Sequence, residues 1–272
     1  MKFRALALLP LLLVVVMTTT SLLLGDRMPV VLTISNEAGK MLALAGAISA
    51  ALAFEQGEYL NRAWLTFGGC YLFLLVNDGM GAAGATGHQM MVVRGLVVVV
   101  ANACSVGGTW MLARAWNVAG LDDDDDHGAR ARRRAMFAGA AVLALAITGW
   151  PLLQDVRLLI GGDPIALISI ASDLGDTFTL ALVAPVMHTA LAMRGGVLRW
   201  PWGMMTLSVL AWLVYDATSS FIDLTRMGPG LALVASESFR VLANGWVFSA
   251  GVSQRLAVAP DARSSQIPPE WL

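Results

Sequence analysis

An all-α integral membrane protein with eight transmembrane helices, built as two parallel four-helix repeats, is the fold that the sequence predicts. Of its 272 residues, 57% are hydrophobic and 14% are charged, whereas a soluble domain carries about 25% charged residues. The mean hydropathy is +0.68. Apolar runs long enough to cross a bilayer, which takes about 20 residues per helix, recur along the whole chain. Two of these runs share one pattern of tryptophan and aspartate.

The apolar runs define eight predicted spans, and the distribution of basic residues supports that number. The spans cover residues 5–24, 39–56, 63–82, 92–113, 135–154, 174–193, 201–220 and 230–252. With the N-terminus in the cytoplasm, 12 of the 18 Lys and Arg residues fall inside, and the rest fall outside or within spans. We therefore expect an integral protein of a bacterial-type inner (plasma) membrane with both termini cytoplasmic.

The first span resembles a secretory signal in one respect, because Lys2 and Arg4 precede an apolar run. That run extends from Ala5 to Gly25 without a charge, which is longer than the roughly 7–15 residues of a signal core. No A-x-A cleavage motif follows it. We expect an uncleaved transmembrane helix.

Four parts are predicted along the chain: a first four-helix repeat (1–113), a charged cytoplasmic linker (114–134), a second four-helix repeat (135–252) and a short disordered cytoplasmic tail (253–272). The linker carries Asp122–Asp126 followed by the basic run Arg132–Arg134. We interpret it as a solvated connection whose arginines contact anionic lipid headgroups. A divalent-metal site on the aspartates is the alternative, but a flexible loop holds no fixed coordination geometry.

The repeat rests on a shift of 138 residues, which aligns Leu42–Asp78 with Leu180–Asp216 without a gap. The most informative identities are Gly57 with Gly195, Trp64 with Trp202, and Asp78 with Asp216. Because each half has an even number of predicted spans, both halves begin on the same side of the membrane. The repeats are therefore parallel rather than inverted.

Tryptophans beside arginines mark the cytoplasmic ends of two spans. Trp64 follows Arg62, and Trp200 and Trp202 follow Arg199. Aromatic side chains at such positions are typical of the interfacial belt. We therefore expect these tryptophans to anchor the helices at the headgroup level.

Ionisable residues inside spans are functional candidates, because burying one in lipid costs roughly 2.5–3.5 kcal/mol on insertion scales. The candidate ligand- or ion-binding residues are Asp78, Asp216, Glu237, Arg240, Asn244, Asp176, Glu37 and Arg94. Glu237 and Arg240 are three residues apart and share a helix face, which Asn244 continues. We expect one polar site between the repeats, open to the outer side, with Arg240 beside Asp216. The alternative is that the two aspartates cap helix ends and that Glu237 and Arg240 form a structural ion pair.

No cofactor, metal site or catalytic residue is predicted, and we expect no enzymatic activity. The net charge of −1 excludes a basic nucleic-acid footprint. Cys70 and Cys104 lie in apolar runs and are expected to pack as small hydrophobic residues. His88 and His188 fall at opposite sides of the membrane, so they cannot ligate one haem. Lys40 lies near a helix start, which does not suit a buried retinal Schiff base.

Two functions fit these features. The first is a receptor or sensor module that binds a small molecule or ion from the outer side and acts through a separate cytoplasmic or membrane protein partner. The alternative is an ion- or proton-coupled small-solute transporter, and a scaffold subunit is a third interpretation. The receptor is favoured because only one half carries the Glu237–Arg240 pair. The lipid bilayer is the one partner common to all three.

Overall fold

The computed structural model describes residues 2–84, 87–118, 127–163, 165–192, 196–225 and 230–258, and within these residues the secondary structure is helical. The helices are α1 (Lys2–Leu23), α2 (Met28–Ala51), α3 (Tyr59–Ala82), α4 (His88–Val118), α5 (His127–Ile160), α6 (Ala166–Ala181), α7 (Val183–Ala192), α8 (Arg199–Thr225) and α9 (Leu231–Val258). A 3₁₀ turn, Gly25–Arg27, separates α1 from α2. The described part of the chain contains no strand, so the predicted all-α class is confirmed.

Four helical stretches of the described chain are long and apolar enough to cross a membrane. They are Lys2–Leu23, His88–Ala115, Arg134–Ile160 and Ala166–His188. These stretches coincide with the first, fourth, fifth and sixth predicted spans, and they fit a multi-pass membrane protein. The other predicted spans fall on α2, α3, α8 and α9, which carry charged residues inside their apolar runs. The total of eight spans therefore stays a prediction.

Helix contacts follow a closed ring. In order, α2, α3, α4, the α6–α7 pair, α8 and α9 each contact the next, and α9 returns to α2. Helix α1 packs mainly against α9 and α2, and α5 packs mainly against α6 and α7. This arrangement leaves the ring helices to define any interior site.

The largest hydrophobic cluster joins the ring helices around two tryptophans, Trp64 of α3 and Trp202 of α8. Their exposed fractions are 2% and 4%, so they pack in the core instead of anchoring the helices in the interfacial belt. The same cluster contains buried alanines of α2 and α4. Small side chains allow helices to approach closely enough to enclose the indoles.

The predicted sixth span, 174–193, is broken into two helices at Leu182. Pro185 stands three residues after the break. A proline inside a helix lacks a backbone N–H and clashes with the carbonyl four residues before it, here that of Ala181. The break follows from this clash, and it produces two segments, of which α6 packs more against α4 and α7 more against α8.

Helix α2 begins at Met28, eleven residues before the predicted second span, and Pro29 occupies its first turn. The difference arises from Asn36 and Lys40, polar residues that suggest a helix start in sequence but lie buried in the helix interior. Helix α9 continues through Val258, past the predicted end of the eighth span. The aspartates of the predicted linker, 122–126, and residues 259–272 of the predicted tail lie outside the described residues.

Candidate functional site

A first group of polar side chains joins α2, α3 and α4, and we name it the Lys40 cluster. The Lys40 Nζ lies 2.7 Å from the Glu37 Oε1 and forms a second ion pair with the Asp78 carboxylate. The Asn77 side-chain amide donates to the other Asp78 oxygen at 3.1 Å. The Arg94 Nε donates to the Asn77 Oδ1 at 3.2 Å. Lys40, which was predicted to lie near a helix start, thus joins α2 to α3, and Arg94 joins α4 to α3 through Asn77.

A second group, the Arg240 cluster, joins α2, α8 and α9. The Arg240 Nη2 lies 2.9 Å from the Glu237 Oε2, and its Nε donates to the Asn36 Oδ1 at 2.9 Å. The Asn36 side-chain amide donates to the same Glu237 oxygen. The Arg240 Nη1 donates to the Tyr215 hydroxyl at 3.2 Å. Each polar member therefore has a partner, which fits the alternative of a structural ion pair.

Both clusters are close to neutral. The Lys40 cluster holds two cations and two carboxylates, and the Arg240 cluster holds one of each. Charged side chains are tolerated away from water when they are hydrogen-bonded and paired so that their charges cancel. These clusters therefore hold helices together and offer little unbalanced charge to a ligand.

A cavity of about 240 Å³ lies between α3, α4, α6 and α8. Two carboxylates line it, Asp176 from α6 and Asp216 from α8, and Asn102 of α4 adds an amide. No Lys, Arg or His is among the described residues that line it. The cavity is therefore a place in the described bundle where acidic charge is not balanced by an adjacent cation.

Asp176 is exposed and lines the cavity, so the cavity reaches accessible surface at this residue. Asp216 is close enough to Asp176 for the two carboxylates to repel each other. A cation between them would relieve that repulsion.

Hydroxyl groups complete the polar lining, and one of them has no partner. Thr109 of α4 is fully buried, lines the cavity, and its Oγ1 has no hydrogen-bond partner within the described residues. A buried hydroxyl without a partner costs roughly 1–3 kcal/mol. Such a group is the exception that a bound ligand or water explains.

Aromatic rings and aliphatic side chains form the remaining walls of the cavity. Phe67 and Tyr71 of α3 meet edge to face with ring centroids 5.7 Å apart. Trp212 and Tyr215 of α8 do the same at 5.5 Å. Tyr215 also accepts the Arg240 hydrogen bond, so this ring connects the cavity with the Arg240 cluster.

The predicted site residues thus fall in four places rather than one. Asp176 and Asp216 line the cavity, and Arg240 pairs with Glu237 instead of Asp216. Glu37, Asp78 and Arg94 belong to the Lys40 cluster. Asn244 is fully buried, and its two amide atoms have no partner among the described residues. It packs where a side chain at Gly39 would stand, with its Nδ2 3.2 Å from that position.

Several residues that line the cavity were not predicted from the sequence, although polar residues recur there with helical periodicity. Polar residues recur at spacings of three and four on the cavity helices, and this spacing places them on one helix face. The series are Asn102, Ser105 and Thr109 on α4; Ser172, Asp176 and Thr179 on α6; and Ser208, Trp212 and Asp216 on α8. Counting hydroxyls together with charged residues would have identified these faces.

The described residues hold no group of three or more His, Cys, Asp or Glu side chains that could bind a metal ion. The chain matches no protein-family model, no curated protein and no solved structure.

Proposed function

We propose that the protein is an eight-span membrane protein whose two four-helix halves enclose a binding cavity for a small organic cation, and that it carries this solute across the membrane. Helices α1–α4 form the first half, and α5–α9 form the second with α6 and α7 sharing one span. The ring order supports this division, because α2 to α4 are followed by the α6–α7 pair, α8 and α9 in the same sequence.

The repeat is further supported by burial. Six of the positions at which α3 is buried are also buried on α8 after the shift of 138 residues. The pairs are Ala63 with Pro201, Trp64 with Trp202, Phe67 with Met205, Gly68 with Thr206, Cys70 with Ser208, and Tyr71 with Val209. Two helices that present the same face at the same register are the arrangement expected of duplicated halves.

The chemistry of the cavity supports a cationic ligand. Two carboxylates without an adjacent cation favour positive charge, and aromatic faces bind organic cations through cation–π attraction. A volume of about 240 Å³ holds roughly eight water molecules at about 30 Å³ each. That space exceeds the need of a single inorganic ion and suits a small protonated amine or quaternary ammonium group.

Acidic residues continue outside the cavity and add to its attraction for cations. Asp173 lies one turn from Asp176 and repels it, and Asp155 of α5 lies beside Asp173. In the predicted topology this series leads from the outer end of α5 and α6 toward the cavity. A line of carboxylates raises the local concentration of cations near an opening.

The position of the cavity favours a transporter over a receptor. It takes α3 and α4 from the first half and α6 and α8 from the second, so relative movement of the halves would alter access to it. The asymmetry that favoured a receptor concerned Glu237 and Arg240, which belong to a paired cluster outside the cavity lining. That asymmetry no longer bears on the ligand site.

The test uses the full chain reconstituted in liposomes, with phenethylammonium as the cation and phenylpropionate as an anion of similar shape. We expect binding and a transport current for the cation and neither for the anion. Asp216→Asn and Asp176→Asn should each weaken binding about tenfold or more, since a hydrogen bond to a charged group contributes roughly 1.5–3 kcal/mol.

Asp78→Asn is the matched control, because Asp78 is the repeat counterpart of Asp216 but lies in the Lys40 cluster. It should leave cation affinity within about twofold. Cation binding without current would favour the receptor interpretation. Equal binding of the cation and the anion, or an Asp216→Asn variant with unchanged affinity, would refute the cavity proposal.

A further inference from the structure

A groove of about 500 Å³ lies between α1 and α7, and α8 forms its floor. Helices α1 and α7 both contact α8 but not each other in the described chain. Most of the groove is apolar, with Met187 and Leu191 on one wall and Leu207 on the floor. Leu191 and Leu207 are exposed. The groove is therefore an apolar gap beside a helix, α1, that is apolar enough to cross a membrane.

One end of the groove is basic. Arg4 in the first turn of α1 and Arg199 at the start of α8 both line it, and both are exposed. Neither forms an ion pair with an acidic side chain of the described residues. The Arg199 guanidinium lies 5.3 Å from the Trp200 ring centroid, and the Phe3 ring stacks on Trp200 at 6.2 Å.

We propose that this groove binds an anionic phospholipid, with the phosphate held by Arg4 and Arg199 and an acyl chain lying along α7 and α8. Arginine is well suited to phosphate because its planar group donates several hydrogen bonds. A phospholipid also supplies the apolar chain that the rest of the groove requires. In the predicted topology both arginines face the cytoplasm, where the leaflet is rich in anionic lipid. This proposal does not depend on the ligand of the central cavity.

Gly203 provides a direct way to fill the groove. It lines the groove, and a Cβ added there would meet no atom within 4 Å. A leucine at this position would therefore start in open space and extend into the groove. Gly149 of α5 is equally open but lies elsewhere, so Gly149→Leu is a matched substitution of glycine by leucine inside a helix.

The experiment measures lipid binding to the delipidated full chain in detergent by native mass spectrometry. The probes are dioleoyl phosphatidylglycerol, dioleoyl phosphatidylcholine and glycerol 3-phosphate, which separate the headgroup charge from the acyl chains. We expect phosphatidylglycerol to bind at least about tenfold more tightly than either of the others. Gly203→Leu, and Arg4→Gln combined with Arg199→Gln, should each remove that preference.

Two controls should keep the preference: Gly149→Leu, and Arg255→Gln, which removes an exposed arginine outside the groove. Thermal unfolding of Gly203→Leu without lipid should match that of Gly149→Leu, because both sites are open and both variants gain the same helix propensity. Equal affinity for the two lipids would overturn the proposal. So would tight binding of glycerol 3-phosphate, or a Gly203→Leu variant that binds phosphatidylglycerol as before.

Discussion

The contact between α3 and α4 predicts opposite effects of one methyl group at two adjacent glycines. A Cβ at Gly108 would lie 2.6 Å from the backbone N and Cα of Phe67, whereas ordinary contact begins at 3.4 Å. The shortfall is 3.4 − 2.6 = 0.8 Å, and it involves backbone, which cannot rotate away. A Cβ at Gly107 would meet the Thr66 methyl at 3.6 Å, which is ordinary contact.

Gly108→Ala therefore forces α3 and α4 apart by about 0.8 Å, and overpacking of this kind costs about 1–3 kcal/mol. Both variants gain the same helix propensity, up to about 1 kcal/mol for alanine over glycine. The difference between them isolates the steric effect. We expect Gly108→Ala to be about 1–3 kcal/mol less stable than Gly107→Ala.

The assay is reversible unfolding in mixed dodecyl maltoside and dodecyl sulfate micelles, followed by tryptophan fluorescence. Trp64, buried one helical turn from Phe67, is one of nine tryptophans, so the summed emission follows the unfolding of the protein as a whole. Equal free energies of unfolding for the two variants would refute the close approach of the helices at Gly108. A more stable Gly108→Ala variant would refute it more strongly.

The two polar clusters give further predictions, checked by the same unfolding assay. Glu237→Gln removes the ion pair with Arg240, whose charge then keeps only neutral partners. We expect a loss of roughly 1.5–3 kcal/mol, and a loss under about 0.5 kcal/mol, the scatter of neutral substitutions, would contradict this. Lys40→Met leaves the Glu37 and Asp78 carboxylates without their cation and should destabilise by roughly 1–3 kcal/mol. Adding Asp78→Asn to Lys40→Met should restore part of the lost free energy of unfolding. A further decrease in that free energy would argue against the Lys40–Asp78 ion pair.

The helices could be predicted from the sequence, because each long apolar run is a local pattern. Long apolar runs need no tertiary partner to be recognised as helices, and all eight predicted spans overlap described helices. The ends of the helices were harder to predict, because they depend on tertiary contacts that cannot be seen in the sequence. In the sequence, Lys40 indicates the start of a helix. In the structure Asp78 of α3 neutralises the Lys40 charge, and this ion pair allows α2 to continue through Lys40.

The pairing of charged residues was harder to predict from the sequence, because it also depends on tertiary contacts. Helix periodicity correctly placed Glu237 and Arg240 on one face, and they do pair. It could not show that Tyr215, rather than its neighbour Asp216, turns toward Arg240. Two consecutive residues on a helix point about 100° apart, so the choice between them depends on the rotation of α8 within the ring. Only packing fixes that rotation.

The proposed duplication explains why the two matched aspartates have different environments. Asp78 has Lys40 as its partner, and the shift of 138 residues puts Phe178 at the position equivalent to Lys40. Phe178 is 59% exposed and cannot neutralise a carboxylate. Asp216 is thus left facing the cavity.

Similar divergence separates the two junctions between the halves. At α2 and α9, a Cβ on Gly46 would overlap the Phe248 backbone, and one on Gly251 would overlap Gly46, so the helices are in close contact there. At α4 and α6, Asn102 stands at the position equivalent to Arg240 and lines the cavity. This junction is also closely packed, because a Cβ on Gly175 would lie 2.7 Å from the Asn102 side chain and one on Gly95 would lie 2.6 Å from the Ile168 side chain. The atoms in contact there are side chains, which can rotate, whereas those at the α2–α9 junction are backbone. In the proposed duplication, movement of the halves about the α2–α9 contact would therefore rearrange the side chains between α4 and α6, and with them the cavity that Asp176 and Asp216 line.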